Sequence, residues 1–183
     1  MKRLRLTLMV CLLAMGFVCT QVFAQESLPL TATASSEVSA YHGAAKAVDG
    51  NTTRDSCWEG VSGATPWWIM FDTGAVNQIG QITMFWFSSY FAPKDYDIQI
   101  SSDGTTWENI YTGISGISDL INGETKDINR EARYIRLYIR VVDSNMPGLN
   151  ELMAFGETSP PPPPPHRRLL LKGCRRACGF RQD

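Results

Sequence analysis

Apolar and polar residues alternate along residues 133–141, which read RYIRLYIRV. One side of this alternation carries the aliphatic residues Ile135, Leu137, Ile139 and Val141, and the other carries tyrosines and arginines. A period of two is typical of a strand with one buried face. The segment is therefore predicted to be a strand whose aliphatic side chains join the core.

Other segments show strand-like patterns, namely residues 67–72, 79–87, 96–101, 107–111 and 152–155. Turn signals stand between them, including Thr73-Gly74, Ser102-Asp103-Gly104 and Asn122-Gly123. No window sustains a helical period, so the pattern predicts an antiparallel sandwich or barrel. Trp107 is predicted to fill the core, because large aromatic side chains are mostly buried.

The ends of the chain differ from its middle. Residues 1–24 combine an early basic cluster, an apolar run over 6–18 and the sequence Val22-Phe23-Ala24, which is typical of a signal peptide cleaved before Gln25. The run is short for a membrane span of roughly 20 residues. We therefore expect a protein that is secreted, periplasmic or held at the cell surface.

A run of six prolines lies within residues 158–165 and predicts a stiff linker. The remaining residues, 166–183, are basic and too few for a domain. Three interpretations of this tail stay open: a disordered tail, an anchoring peptide, or the remnant of a truncated or frame-shifted gene. The last would imply a missing downstream domain.

The folded segment is acidic, since residues 25–159 carry 8 Lys and Arg against 17 Asp and Glu, a balance of −9. Nucleic-acid binding requires a basic patch, so that function class is excluded as the main one. Beyond the predicted signal peptide, three cysteines remain, and their spacing defines no disulfide framework. Cys57 is predicted to be a lone buried thiol.

Oxygen donors are concentrated in residues 44–58, AAKAVDGNTTRDSCW, around a tight turn at Asp49-Gly50-Asn51. Dense carboxylate, carbonyl and hydroxyl donors suit a hard cation, calcium first. A second acid, Glu151, lies far along the chain in NELMAFG. By itself, Asp-Gly-Asn is also a good hairpin turn that needs no metal.

Five fragments in order, AAKAVDGN, PWWIMFDTG, DYDIQISSDGTTW, EARYIRLYI and NELMAFG, resemble the coagulation factor V/VIII type C, or discoidin, domain. Among its members, the chain is most similar to carbohydrate-binding module family 32. The resemblance covers about residues 32–156. It implies an all-β fold, an antiparallel β-sandwich jelly roll of about eight strands, often called galactose-binding-like.

The resemblance also implies a structural calcium ion and its ligands. In such domains a carbonyl three residues before the Asp, the Asp itself, the following Asn, a loop hydroxyl and the Glu of the last strand hold the ion, joined by the preceding carbonyl. The hydroxyl here is Thr53 or Ser56, and Ser-Cys in related fucose-binding lectins favours Ser56. Those lectins have a cysteine where this chain has Asn150, so their disulfide is not expected. The implied ligands are Lys46, Asp49, Asn51, Ser56, Asn150 and Glu151.

In this family, sugars bind in shallow loops at one end of the sandwich, near the calcium ion. Sugar recognition combines an aromatic face with charged or amide groups that hydrogen-bond the hydroxyls. Burial is the alternative interpretation for Trp58. The candidate ligand contacts are Tyr41, His42, Arg54, Trp58, Tyr90, Phe91 and Asn145.

We therefore predict an exported, non-catalytic domain that binds a glycan or polysaccharide. No nucleophile elbow, zinc-binding histidine pair or phosphate loop points to an enzyme. Two alternatives remain: an adhesion domain for protein or phospholipid, and a fragment of a larger glycoside hydrolase or polysaccharide lyase. The acidic balance opposes an anionic membrane surface.

Overall fold

The computed structural model describes residues 25–157. The predicted signal peptide, proline linker and basic tail lie outside these residues. Within them, eight strands and two short 3₁₀ helices follow one another along the chain. No helix in this part of the chain is long and apolar enough to cross a bilayer.

The elements have the following bounds. The strands are β1 (Glu26–Ser27), β2 (Thr31–Ala34), β3 (Trp58–Glu59), β4 (Trp67–Trp86), β5 (Pro93–Ser101), β6 (Glu108–Ile114), β7 (Glu124–Val142) and β8 (Gly148–Glu157). The 3₁₀ helices, Ala40–His42 and Ala44–Val48, both lie between β2 and β3.

The strands pair antiparallel in the order β1-β8-β4-β7-β5-β6, with β2 added to β4 and β3 added to β8. The long strands β4 and β7 pair along both halves of the fold. Their register shifts between Asp72 and Asn77, so β4 contacts β2 before the irregularity and β8 after it. This arrangement is an open β-sandwich, and it confirms the predicted galactose-binding-like jelly roll.

The core follows the predicted alternation. Ile69 and Phe71 of β4 and Leu137 of β7 are fully buried, while the intervening side chains, such as Trp68 and Met70, are only partly buried. Residues that share one side of a strand therefore meet across the sandwich, as a period of two requires.

A buried carboxylate lies inside this core. Glu124 accepts hydrogen bonds from Trp86 Nε1 at 2.9 Å, from Tyr96 OH at 3.3 Å and from the Ile117 backbone N–H at 2.8 Å. Lys126 Nζ lies 3.2 Å from the same carboxylate. Because these partners satisfy the carboxylate, it can be buried inside the sandwich and join strands β4, β5 and β7.

The structure corrects some predicted strand features. Residues 67–72 and 79–87 belong almost entirely to the single strand β4, and β1, β2 and β3 were not predicted. Val141 is 49% exposed, because Asp95 pairs with Val141 and the next residue, Tyr96, pairs with Ile139, which leaves an extra residue in β7. The alternation therefore breaks at the end of that strand.

Trp107 does not fill the core, so that prediction was wrong. Its half-buried ring lies at the end of the hairpin, and the guanidinium carbon of Arg136 is 3.9 Å from the ring centroid. The ring therefore covers the outer face of β7 and stacks against a cation.

Candidate functional site

The loop that contains Asp49 and the last strand, β8, contact each other directly. The backbone N–H of Gly50 donates a hydrogen bond of 3.1 Å to Oε2 of Glu151. Gly50 has a φ of 82°, a left-handed conformation that glycine adopts without steric cost. The tight turn after Ala44–Val48 can therefore point this N–H group at the carboxylate of β8.

Asp49 organises the rest of the loop. Its Oδ1 accepts the Asn51 backbone N–H at 3.0 Å, and its Oδ2 accepts the Ser56 hydroxyl at 2.6 Å. Lys46 Nζ lies 3.6 Å from the same Oδ2. The Thr53 hydroxyl instead contacts Asn51 Oδ1 at 2.7 Å. Of the two candidate hydroxyls, Ser56 is thus hydrogen-bonded to Asp49.

A β-bulge directs β8 toward this loop. Phe85 pairs with Glu151 but Trp86 pairs with Leu149, so Asn150 is the extra residue between them. Asn150 is fully buried and donates its side-chain N–H to the Thr52 carbonyl at 3.1 Å. Its Oδ1 is buried without a hydrogen-bond donor among residues 25–157.

The Glu151 carboxylate in this cluster has an unusually high pKa. Burial raises the pKa of Glu151 to about 7, and the nearby Asp49 carboxylate adds to that rise, while the Gly50 N–H group opposes it. The two carboxylates and the Ser56 hydroxyl are hard oxygen donors of the kind calcium prefers. The residues present therefore fit a calcium ion.

The loops near the Asp49 loop are joined into a rim by hydrogen bonds to backbone carbonyls. Val38 N donates to Glu59 O at 3.0 Å, Gly60 N donates to Pro147 O at 3.1 Å, and Gly148 N donates to Phe91 O at 3.2 Å. Arg54 Nε donates to Phe87 O at 3.0 Å. These bonds connect the segments that contain all seven predicted ligand contacts. We call these segments, residues 35–42, 50–64, 87–92 and 143–148, the end-loop rim.

The aromatic residues of the rim differ in exposure. Tyr41 is 69% exposed and Tyr90 is 57% exposed, so both present a ring to solvent. Phe91 is partly buried and packs edge-on against Tyr90 and Phe87, with ring centroids 5.8 and 5.0 Å away. The Phe91 ring therefore restricts the position of the exposed Tyr90 ring.

Trp58 is corrected as a candidate ligand contact. It is fully buried, and its Nε1 donates to the Ser36 carbonyl at 3.0 Å. A ring held in this way cannot present a face to a sugar, so Trp58 belongs to the core, as its alternative interpretation held.

Arg54 borders an open depression of about 580 Å³ that also includes Ser89 and the segment 117–121. In that segment, Ile117 and Ile121 are 61% and 88% exposed. This loop was not predicted as part of the site, although two isoleucines between predicted strands are the sequence signal that could have found it. Asn145 is exposed on a turn with a φ of 64°, and its carbonyl accepts the Gly63 N–H.

Cys57 is buried, as predicted, but it has polar neighbours. Its Sγ lies 3.5 Å from His42 Nδ1 and donates to Glu59 Oε1 at 3.7 Å. Burial, reinforced by the Glu59 carboxylate, raises the pKa of the thiol to about 12. An activated cysteine needs the opposite shift, so the surroundings of Cys57 favour the neutral thiol over a nucleophilic thiolate.

A protein-family comparison matches residues 31–151 to the F5/8 type C domain. The chain belongs to this family. The match confirms the resemblance drawn from the five sequence fragments. No curated protein matches the chain at a significant level.

The solved structures similar to the chain include carbohydrate-binding modules and a glycoside hydrolase. Chitosan-binding module 1 from a chitosanase/glucanase of Paenibacillus sp. IK-5 is 31% identical, with a TM-score of 0.59 over 70% of this chain and 96% of that one. A family 89 glycoside hydrolase from Clostridium perfringens is 27% identical, with a TM-score of 0.60 over 72% of this chain but only 14% of that one. The family 32 module of Clostridium perfringens NanJ, solved with galactose, is 19% identical, with a TM-score of 0.62 over 72% of this chain and 99% of that one, a likeness of fold.

Proposed function

We propose that this domain is an exported, non-catalytic carbohydrate-binding module that binds glycans through the end-loop rim. The observation that carries the proposal is the rim itself, where the rings of Tyr41 and Tyr90 are exposed. His42 follows Tyr41, and Arg54 donates a hydrogen bond to the carbonyl of Phe87, in the segment that contains Tyr90. Aromatic faces and charged groups on fixed loops are the chemistry that sugar rings require. Family membership and the similar binding modules support the same function.

In this proposal a calcium ion holds the loop that contains Asp49 against β8. The side chains of Asp49, Ser56 and Glu151 and the backbone carbonyls of Lys46 and Asn150 would bind it. Asn51 would contribute through its carbonyl, because Thr53 already occupies its side-chain oxygen. The ion supplies positive charge where two carboxylates converge, and it stabilises the loop that carries Arg54.

The charge of the domain favours one class of sugar. Residues 25–159 carry a balance of −9, so polyanionic uronates would be repelled and amino sugars would be attracted. A related Paenibacillus module, 28% identical, was solved with chitotriose. We therefore rank amino-sugar oligomers first and neutral galactosides second.

The domain would act as a targeting module for an enzyme. The proline run between 158 and 165 has the composition of an interdomain linker, and the similar modules include parts of a chitosanase/glucanase and of a glycoside hydrolase. Adhesion to a phospholipid surface is the weaker alternative, because the acidic balance opposes anionic lipid.

Calorimetric titration of the chain with chitotriose, galactose and a uronate oligomer tests the proposal. A shallow single site predicts dissociation constants between about 1 mM and 1 μM for at least one of the first two sugars. The titration is repeated with a chelator and with phosphatidylserine vesicles. Binding to vesicles but to none of the sugars would replace the proposal with the adhesion function.

A further inference from the structure

A second cluster of metal-ligating side chains lies beside the loop that contains Asp49. Cys57 Sγ is 3.5 Å from His42 Nδ1 and 3.7 Å from Glu59 Oε1, and the three ligand atoms all lie within 4.8 Å of one another. This set combines sulfur, nitrogen and oxygen, whereas the loop of Asp49 offers oxygen alone. Its occupant must therefore differ chemically from calcium.

Local structure brings these side chains to one point. Cys57 directly precedes the short strand β3 and Glu59 ends it, so the two flank the fully buried Trp58, and the Cys57 thiol contacts the Glu59 carboxylate. His42 ends the 3₁₀ helix Ala40–His42, where its N–H donates to the Ser39 carbonyl at 3.0 Å. The Tyr41 ring packs edge-on against the imidazole, with centroids 5.0 Å apart. The ligand atoms are thus held before any ion arrives.

Two of the three spacings between ligand atoms match tetrahedral zinc, and the third, from His42 Nδ1 to Glu59 Oε1, is at most 4.8 Å. Bond lengths of about 2.3 Å to sulfur and about 2.0 Å to nitrogen give a sulfur-to-nitrogen edge of about 3.5 Å at the tetrahedral angle. The observed distances from Cys57 Sγ, 3.5 Å and 3.7 Å, need little rearrangement. One ion between the three atoms would replace the thiol-to-carboxylate hydrogen bond with bonds to all three.

We propose that His42, Cys57 and Glu59 bind a borderline divalent transition metal, Zn²⁺ first, with the fourth position open to solvent. On binding, the thiol releases its proton to solvent, and the thiolate and carboxylate together neutralise the ion's two charges. Cys57 is buried, but His42 and Glu59 are only partly buried, so the ion approaches from their side. The site uses Nδ1 of His42 and leaves Nε2 without a bond to the ion.

This site is separate from the proposed calcium site, although Ser56 and Cys57 are neighbours in sequence. The Ser56 hydroxyl donates to Asp49, while Cys57 Sγ contacts His42 and Glu59. Calcium prefers oxygen ligands and does not select thiolate, so excess Ca²⁺ should not displace the transition metal. The inference holds whether or not the domain binds a sugar.

Cobalt spectroscopy of the full chain, purified without a histidine tag, tests the proposal. Co²⁺ should bind with a thiolate-to-cobalt charge-transfer band and tetrahedral ligand-field bands, and Zn²⁺ should displace it because zinc binds such sites more tightly. A Ca²⁺ excess should leave the spectrum unchanged. A Co²⁺ spectrum without a thiolate band would overturn the site.

Variants assign the signal to its ligands. Cys57→Ser should abolish the charge-transfer band, and His42→Gln should weaken Co²⁺ binding by more than about 100-fold, since even outer contacts of a metal site contribute about 10- to 100-fold. His42 is partly exposed, so its variant keeps the test valid if Cys57→Ser does not fold.

Matched controls address other thiols and acids. The double variant Cys174→Ser/Cys178→Ser removes the tail thiols, and Asp55→Asn removes an exposed carboxylate two residues before Cys57. Both should keep the band. A band that persists in Cys57→Ser but disappears in the tail variant would place the metal in the tail and refute the site.

Discussion

Gly50 and Glu151, which are 101 residues apart in sequence, are joined by a hydrogen bond of 3.1 Å from the Gly50 N–H to Oε2 of Glu151. This contact connects the loop after Ala44–Val48 to the β8 bulge at Asn150. The same carboxylate lies near Asp49, so the two ends of the domain meet at a point of concentrated negative charge. The stability of this junction should therefore depend on a cation.

Removing the central carboxylate of the loop should abolish the response to calcium. The wild-type chain should gain about 2.7 kcal/mol of unfolding free energy when Ca²⁺ is present at about 100 times its dissociation constant. Asp49→Asn should gain little, because its amide offers one weaker oxygen donor. Thermal unfolding with Ca²⁺ and with a chelator measures the difference.

The control is Asp143→Asn, an exposed acid whose carboxylate lies 3.2 Å from Lys94 Nζ. This variant should keep the full calcium response. If calcium leaves the wild-type transition unmoved, the loop is a plain turn.

The buried Glu124 carboxylate should contribute strongly to the stability of the domain. Glu124→Ala would leave the Trp86 Nε1, Tyr96 OH and Ile117 N–H donors without their acceptor. Each buried unsatisfied donor costs about 1–3 kcal/mol, so the unfolding free energy should fall by about 3 kcal/mol or more. Urea unfolding measures the loss, and the exposed Glu131→Ala should stay within about 0.5 kcal/mol of wild type.

Tyr90 should contribute directly to sugar binding. Tyr90→Ala removes an exposed ring supported by Phe91, and the affinity for the sugar that binds best should fall about tenfold, or about 1.4 kcal/mol. Calorimetric titration with chitotriose and galactose measures this.

The matched aromatic control is Trp107→Ala. Trp107 follows the hairpin after β5, whereas Tyr90 precedes β5, so the length of that strand separates them. This variant should keep the wild-type affinity. An equal loss in both variants would show that the effect on Tyr90 is not local.

Acid should destabilise the domain through its arginine-bound carboxylates. Hydrogen bonds from Arg133 and Arg140 hold the pKa values of Asp72, Asp95 and Asp97 below the ordinary value of about 3.9. The unfolded chain therefore takes up more protons as the pH falls. The stability from these pairs is complete above about pH 5 and is lost as the pH falls through the folded-state pKa values.

Unfolding measured from about pH 5 down to acid should show this loss, and Arg140→Met should show a shallower one. Arg130→Met is the control of equal charge change, because Arg130 lies 3.9 Å from an exposed glutamate and holds none of these aspartates. A wild-type stability that does not change with acid would contradict the assignment.

Much of the fold could be predicted because strand alternation is a local property. The buried positions of Ile69, Phe71 and Leu137 follow from the period of two alone. Val141 could not be predicted, because the extra β7 residue opposite Asp95 arises from pairing with another strand. Trp107 was misassigned for a similar reason, since its partner Arg136 comes from a different strand.

For the candidate site, the sequence by itself determined the turn at Asp49 and the resemblance that pointed to Glu151. Only the tertiary structure decided that Ser56 rather than Thr53 is bonded to Asp49, that Trp58 is core, and that His42 lies against Cys57. The physical reason is the range of the interactions. Turns and alternation depend on neighbours in the chain, whereas the end-loop rim exists only where β3, β8 and the loop before β5 pack together.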